Sequence, residues 1–517
     1  MEMNLLISGV ERVYTHLKFS DVALALIGLF LLSYLREKLV SKGGPVIWPV
    51  LGVAPTLALN KDDLLGWCTR CLVRAGGTFH YRGVWFGGAY GIMTANPANV
   101  EHILKTNFRN YPKGEYYRER FRELLEDGIF NADDELWKEE RPVAKTEMHS
   151  SRFLDHTFTT MRDLVERKLV KLMEKMAASK RVFDLQDVLL RFTFDSICIS
   201  AFGVDPGSLA VDLPEIPFAK AFEEATEYTL ARFLMPPFVW KPMRFLGIGH
   251  ERKLKKAVGV VHAFANKTVR ERRNKMRRLR SLNDSSDLLS RLMEREHEKE
   301  EGDYYSDKYF REFITSIIIA GRDTTSVALV WFFWLVHNHP QVEKRILSEI
   351  KEIREKLAPQ ETFSAQELNE MVYLQAALTE SLRLYPSVPV EIKQALEDDT
   401  LPDGTRVKKG ARVFFSIFSM GRIESIWGKD WEEFKPERWI KEGRIVSGDQ
   451  FKYVVFNAGP RLCVGKKFAY TQMKMVAAAV LMRYKVRVVE GQTVVPKLTT
   501  TLYTKNGLRV TLQDRDV

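Results

Sequence analysis

The stretch FNAGPRLCVG, residues 456–465, sets a cysteine between glycines and beside an arginine. A buried free cysteine ordinarily acts as a small hydrophobe. Here the segment that follows, VGKKFAYTQMKMVAAAVLM, reads as a helix, which puts Cys463 at a helix N-terminus. Backbone N–H groups and the helix dipole favour a negative sulfur there. Gly459 and Gly465 remove side chains so that backbone can approach a flat group closely. Arg461 can pair with an anionic substituent of that group, and Phe456 can pack against its face or edge.

A lone cysteine cannot build a zinc or iron–sulfur centre, each of which needs several protein ligands. It can be the one protein ligand of a haem, whose porphyrin supplies four more. Cys463 is therefore the candidate metal ligand. The other cysteines are Cys68, Cys71 and Cys198, too few for a disulfide scaffold. CTRC, residues 68–71, lies in a helical pattern, so Cys68 and Cys71 read as thiols one turn apart on a helix.

The chain has 517 residues, 45% of them hydrophobic, enough for a large core. No internal repeat or long low-complexity linker appears after residue 60. One large domain, residues 61–517, is expected, mainly α with small peripheral β-sheets. The β-like runs are GTFHYRGVWFGGAYGIMTA (77–95), RVKKGARVFFSIFS (406–419) and LRVTLQ (508–513). Residues Ser306 to Asn338 form a nearly all-apolar helical run, a buried central helix of roughly 50 Å. Arg322, Asp323, Thr324 and Thr325 interrupt it, and polar groups there cost free energy unless satisfied or functional.

At the front, Val22 to Leu35 is an uncharged stretch of 14 residues. It approaches a membrane span when extended back to Phe19. No small-residue cleavage site follows, and Arg36, Lys38 and Lys42 do. Residues 1–42 therefore read as an uncleaved membrane anchor with its flank, the rest of the chain being cytosolic. GGPVIWPVLG, within residues 43–60, reads as a stiff hinge. FLMPPFVWKPMRFLGIG, Phe233 to Gly249, joins aromatics with three prolines and is expected to be an apolar loop that dips into lipid, or a buried one.

The formal charge of +11 favours anionic partners. The basic run Arg270–Arg280 suits a solvated helix end, and an anchored chain argues against nucleic acid as its partner.

Further motifs follow in order: WKEER (137–141), AGRDTT (320–325), ESLR (380–383) and FKPERW (434–439). Together with the cysteine loop they resemble the signatures of the cytochromes P450, over essentially the whole chain. The resemblance implies that fold, haem b on the Cys463 thiolate, and O2 as co-substrate. It implies that thiolate donation promotes O–O cleavage. Asp323 and Thr324 would organise protons on the distal side. Ala320 and Gly321 would leave room over the iron. Trp137, Arg141 and Arg461 would neutralise haem propionates, with Lys393 as a further candidate. Glu380, Arg383 and Arg438 would form a structural ion cluster.

YPKG, DGIFNADDELWKEER, LRLYPSVPV, MGRIESIWGKDWEEFKPERW and LYTKNGL are similar to one branch, the plant fatty-acid ω-hydroxylases. That similarity implies hydroxylation of long-chain fatty acids at the terminal methyl, towards cutin or suberin monomers, in the endoplasmic reticulum membrane. The expected substrate lining is Leu125, Phe130, Ile317, Ala320, Val388, Val390 and Leu502. Arg118 and Arg120 are candidates for anchoring a carboxylate. No flavin or nicotinamide fingerprint is present, so electrons are expected from elsewhere; the resemblance implies NADPH through NADPH–cytochrome P450 reductase, which Lys466 and Lys467 could dock. Three alternatives stand beside this: a monooxygenase of a terpenoid or sterol, a peroxide rearrangement without O2, and a non-catalytic haem protein.

Overall fold

The structure is a computed structural model. It describes residues 18–40, 43–84, 89–282, 284–297, 305–356, 363–446 and 448–515. Lys42, most of the segment before Phe19 and most of the acidic run after Arg295 lie outside the described residues.

Helices dominate, as the 3.6-residue periodicity predicts. The apolar run of the central helix is buried on every side. It extends from Asp307 to Asn338, but as two α-helical pieces, Asp307–Ile318 and Thr324–Asn338. A π-turn, Ile319–Asp323, joins them. Periodicity gives no sign of that turn. The wider coil releases carbonyls from the helical ladder, and side chains satisfy them. Thr324 donates to the Ala320 carbonyl at 2.5 Å and Thr193 to the Arg322 carbonyl at 2.9 Å. Ser387 donates to the Thr324 carbonyl at 2.7 Å. Helix Leu185–Phe202 crosses closely at this level. A Cβ on Gly321 would stand 2.6 Å from the Ile197 side chain. The glycine is thus needed for helix packing at this crossing as well.

Each β-like run contains strands. The largest sheet orders Thr78–Arg82, Tyr90–Thr94, Arg412–Ser416 and Val390–Gln394, with the middle pair parallel and the outer pairs antiparallel. The closing strand Arg509–Asp514 sits between Tyr484–Val488 and Phe183–Asp184. Leu64–Arg74 is the helix expected to carry Cys68 and Cys71, and both are buried. Cys68 donates to Met93 Sδ at 3.1 Å, and burial pushes its thiol up to about 12.

The front segment forms a 22-residue helix, Phe19–Val40, on which Leu24, Leu29 and Leu32 are exposed. Trp48 of the hinge packs on it, 5.1 Å from the Tyr34 ring. Trp48 also donates from Nε1 to Thr56 at 3.1 Å, and Thr56 donates to the Val46 carbonyl at 3.0 Å. Those bonds stiffen the turn. The end of residues 43–60 is itself helical, Ala54–Leu59.

Phe233–Gly249 is not a loop. It contains the helix Pro237–Leu246, with Pro237 in the first turn, where its missing N–H costs nothing. Prolines that look like breakers mark its start. Leu234, Phe238, Phe245, Leu246 and Ile248 are exposed, Phe245 at 90%. The basic run lies at the end of helix Gly249–Leu279 and is largely solvated, with one departure. Arg272 is buried and pairs with Asp287 at 3.2 Å.

Candidate active site

Cys463 lines a cavity of about 630 Å³. Its loop is folded back by two left-handed residues, Asn457 and Gly459, at φ of 59° and 60°. Cys463 N–H donates to the Phe456 carbonyl at 2.8 Å, which closes the loop. The following helix begins at Lys466, later than expected, with Gly465 as its cap. The helix reaches the sulfur through the Gly465 N–H. Cys463 is exposed to the cavity, yet the protein packed around it excludes bulk water and pushes its thiol up, while that N–H, Arg141 and Lys466 pull it down. A Cβ on Gly465 would come 4.0 Å from the sulfur, an ordinary contact, so the sulfur itself does not demand glycine there. Gly459 serves otherwise. Its Cβ would stand 2.2 Å from the Leu104 carbonyl, so its role is tight packing against neighbouring backbone and not approach to a flat group. Phe456 lines the cavity and lies 5.3 Å from the Tyr470 ring.

Trp137 and Arg141 come from helix Asp134–Met148. Two guanidiniums flank Trp137, Arg461 at 4.6 Å and Arg141 at 5.6 Å from the ring centre. Arg141 donates to the Leu462 carbonyl, tying that helix to the cysteine loop. Arg461 pairs with Asp133 at 2.7 Å, yet its buried Nε has no partner. Lys393 is fully buried and does not line the cavity. Its Nζ also has no hydrogen-bond partner, and Glu391 is 3.9 Å away. Burial, only partly offset by Glu391, holds Lys393 down to about 7. Glu391 pairs with Lys113 at 3.0 Å and accepts from Asn457 at 3.2 Å. Among the described residues, Lys113, Lys393 and Arg461 thus face Glu391 and Asp133, with Asp134 also acting on Arg461 and Arg141 close by. This excess of basic groups, with two orphaned buried donors near a cysteine that lines the cavity, fits haem with its anionic propionates. Glu391, Lys113 and Asn457 were not read from the sequence, because strand and loop meet only in the fold.

Across the cavity, Ala320, Gly321 and Thr324 line the wall at the π-turn. Asp323 does not. It is fully buried behind the wall, where Arg322 Nη1 donates to its Oδ1 at 2.7 Å. Arg322 Nη2 reaches Glu223 of helix Pro217–Leu234 at 2.8 Å. Burial pushes the Asp323 carboxyl up against the pull of Arg322.

Leu125, Phe130, Ile317, Val388 and Val390 all line the cavity. Leu502 is excluded. It is fully buried beneath Trp331, whose Nε1 donates to its carbonyl at 2.7 Å. The turn before it, Leu498 to Thr501, faces the cavity instead. Arg118 leans towards Asp127 at 3.8 Å and is not in the lining, whereas Arg120 is.

Glu380, Arg383 and Arg438 do cluster. Glu380 accepts from Arg383 Nε and Nη2, both at 2.8 Å, from Arg438 Nε at 3.3 Å and from Trp439 Nε1 at 2.7 Å. Arg383 also donates to the carbonyls of Trp431 and Glu433, at 2.9 and 3.0 Å. The cluster lies outside the cavity lining.

A family model described as Cytochrome P450 matches residues 43–512. Cytochrome P450 86B1 of Arabidopsis thaliana is 47% identical over 96% of this chain and 90% of its own length. Cytochrome P450 94A2 of Vicia sativa is 42% identical over 91% of each chain. Noroxomaritidine synthase 1 of Narcissus pseudonarcissus is 34% identical over 96% of this chain and 97% of its own. The chain belongs to the cytochrome P450 family, haem-thiolate monooxygenases that draw their electrons from a reductase.

Proposed function

We propose that this chain hydroxylates long-chain fatty acids at the terminal carbon, using O2 and NADPH-derived electrons. The observation that carries the reading is the cavity itself. It runs from Cys463 and Thr324 along an apolar wall that includes Leu125, Phe130, Ile317, Val388 and Val390. Its lining also takes in Val53, Leu57, Met235 and Pro236. Those residues adjoin the hinge and the exposed apolar helix Pro237–Leu246. A mouth there would draw a lipid directly from a bilayer. The motif resemblance to plant fatty-acid ω-hydroxylases supports the same substrate.

Haem held by Cys463 would supply the oxygen-activating iron. Arg141 and Arg461 would hold its propionates by charge and Trp137 by its indole N–H, while Lys393, buried behind the cavity lining, would add positive potential from the sheet. Thr324 keeps a hydroxyl at the cavity wall, where it can hold a water and pass a proton. Asp323 acts from behind the wall. Apolar side chains exclude bulk water and confine the chain end. That confinement matters, because a hydrophobic wall distinguishes one methylene by only ~1–3 kcal/mol.

The 22-residue helix Phe19–Val40 is ~33 Å long, enough for a hydrocarbon core of ~30 Å. We read residues 1–42 as a single-pass anchor in the endoplasmic reticulum membrane, 43–60 as the hinge and 61–517 as the cytosolic catalytic domain. Lys466 and Lys467 are exposed beside the ligand loop and suit the acidic face of NADPH–cytochrome P450 reductase.

The test is turnover of a fatty-acid panel, with a terpenoid and a sterol included, in the presence of that reductase. Terminal alcohols are expected. In-chain products, or turnover of the terpenoid or sterol alone, would overturn the proposal. Cys463→Ser is expected to abolish turnover and the Soret signature of thiolate ligation in the reduced carbon-monoxide complex.

A further inference from the structure

Part of the cavity wall is formed by the four-stranded sheet. There Tyr116 is held between two guanidiniums, Arg412 at 3.5 Å and Arg120 at 3.6 Å from its ring centre. Arg120 is fixed in place: Nε donates to the Arg232 carbonyl at 3.1 Å and Nη1 to the Tyr116 carbonyl at 2.9 Å. The Arg412 side chain makes no hydrogen bond or ion pair among the described residues. The carboxylate beside Arg120, Glu119, is engaged by Lys241 at 2.6 Å. Burial, with Arg412 adding to it, holds Arg120 down to about 10.

Tyr81 adds a third group. Its hydroxyl is buried, has no partner, and belongs to a residue that lines the same cavity. Tyr81 pairs with Gly91, and Gly91 with Arg412, so all three occupy one row across the sheet. A Cβ on Gly91 would stand 1.9 Å from the Arg412 carbonyl oxygen and 2.8 Å from the Tyr81 hydroxyl, so glycine lets the two strands meet and leaves the space that the phenol occupies. Two guanidiniums without an acid and a phenol without an acceptor share one requirement, an anionic oxygen.

The ladder sets the distance. Glu391 bonds to ligand-loop Asn457 and pairs with Phe415, three residues beyond Arg412 on the same strand. At ~3.4 Å per residue, the arginine row lies ~10 Å along the sheet from the ligand-loop edge. We propose that Arg412, Arg120 and Tyr81 bind the substrate's carboxylate, holding the acid end of the chain away from the end presented at Cys463. This inference rests on the fatty-acid reading and deepens it.

The test compares binding of a long-chain fatty acid with that of its methyl ester, by equilibrium dialysis on the haem-loaded full chain. The wild type is expected to favour the acid by about tenfold or more, the range of a charge-assisted hydrogen bond. R412Q is expected to bring the two within about twofold while leaving ester binding unchanged, and R412K to keep most of the preference. Y81F is expected to weaken acid binding by about threefold without affecting the ester, and it carries the test should R412Q fail to fold. Equal losses for acid and ester, or a wild type that does not distinguish them, would overturn the site. The readout is independent of turnover. If no fatty acid is hydroxylated but the acid preference exists and R412Q removes it, the substrate reading falls and the anion site stands. Hydroxylation without any preference does the reverse.

Discussion

Arg322 and Asp323, adjacent in sequence, form an ion pair at 2.7 Å in which both side chains are almost wholly buried. The second arm of Arg322 reaches Glu223 at 2.8 Å, and Glu223 is about half exposed. The chain of contacts connects an acid behind the cavity wall to a surface carboxylate on another helix. Removing one partner of a buried pair leaves an uncompensated charge. Arg322→Met is therefore expected to cost about 3–5 kcal/mol of stability, measured by chemical denaturation. Glu223→Gln, an exposed partner, is expected to cost less than about 1 kcal/mol. Equal costs would refute this division.

Thr324 holds its hydroxyl to the Ala320 carbonyl that the π-turn releases. The side chain is thereby fixed at the wall, its proton on the carbonyl and its oxygen lone pairs free to accept from a water. Thr324→Ala removes the hydroxyl and leaves the apolar wall intact. NADPH consumption is expected to continue while product per NADPH falls by about tenfold or more, with hydrogen peroxide released instead. Unchanged coupling would remove Thr324 from proton handling, and Thr324→Ser is expected to keep most of it.

The residues legible in the sequence were those whose chemistry is unusual for their setting. A cysteine in a glycine-flanked loop, polar groups in an apolar helix and the ordered motifs all mark positions that line the cavity or cluster beside it. What stayed illegible depends on long-range geometry. Leu502 was expected in the cavity, yet a strand presents alternate residues to opposite faces and the chain turns just before it. Prolines 236, 237 and 242 suggested a loop, but Pro237 opens a helix. Asp323 reads like Thr324 in sequence, whereas the wall separates them. Tyr81 and Arg412 lie 331 residues apart and meet only through the sheet register.

Glu140 gives a pH dependence of stability. Burial, with Glu312, Asp127 and Glu139 adding repulsion, raises it to about 8, and its buried Oε2 has no partner. A carboxyl raised in the folded state contributes fully below its ordinary value of 4.5, and that contribution is lost as pH rises through about 8. Glu140→Gln is expected to leave stability unchanged at about pH 4 and to raise it by about 1–3 kcal/mol at pH 9. Denaturant titrations at both pH values check this. An equal effect at the two would contradict the assigned cause.

Glu380 tests whether the ion cluster is structural. Both of its oxygens are filled, by Arg383, Arg438, Trp439 and the Lys435 N–H at 3.2 Å. None of these residues lines the cavity, so a catalytic role has no geometric basis. The cluster instead ties helix Val372–Leu384 to the segment Trp431–Trp439 that leads towards the ligand loop. Glu380→Gln keeps the shape and removes the charge, leaving the fully buried Arg383 without its acid, while Arg438 keeps Asp430 at 3.2 Å. The expected loss is about 3–5 kcal/mol in denaturation. Haem occupancy should fall with stability, while any molecules that retain haem should keep thiolate ligation and normal turnover per haem. A variant as stable as the wild type but slow per haem would instead assign Glu380 to the chemistry.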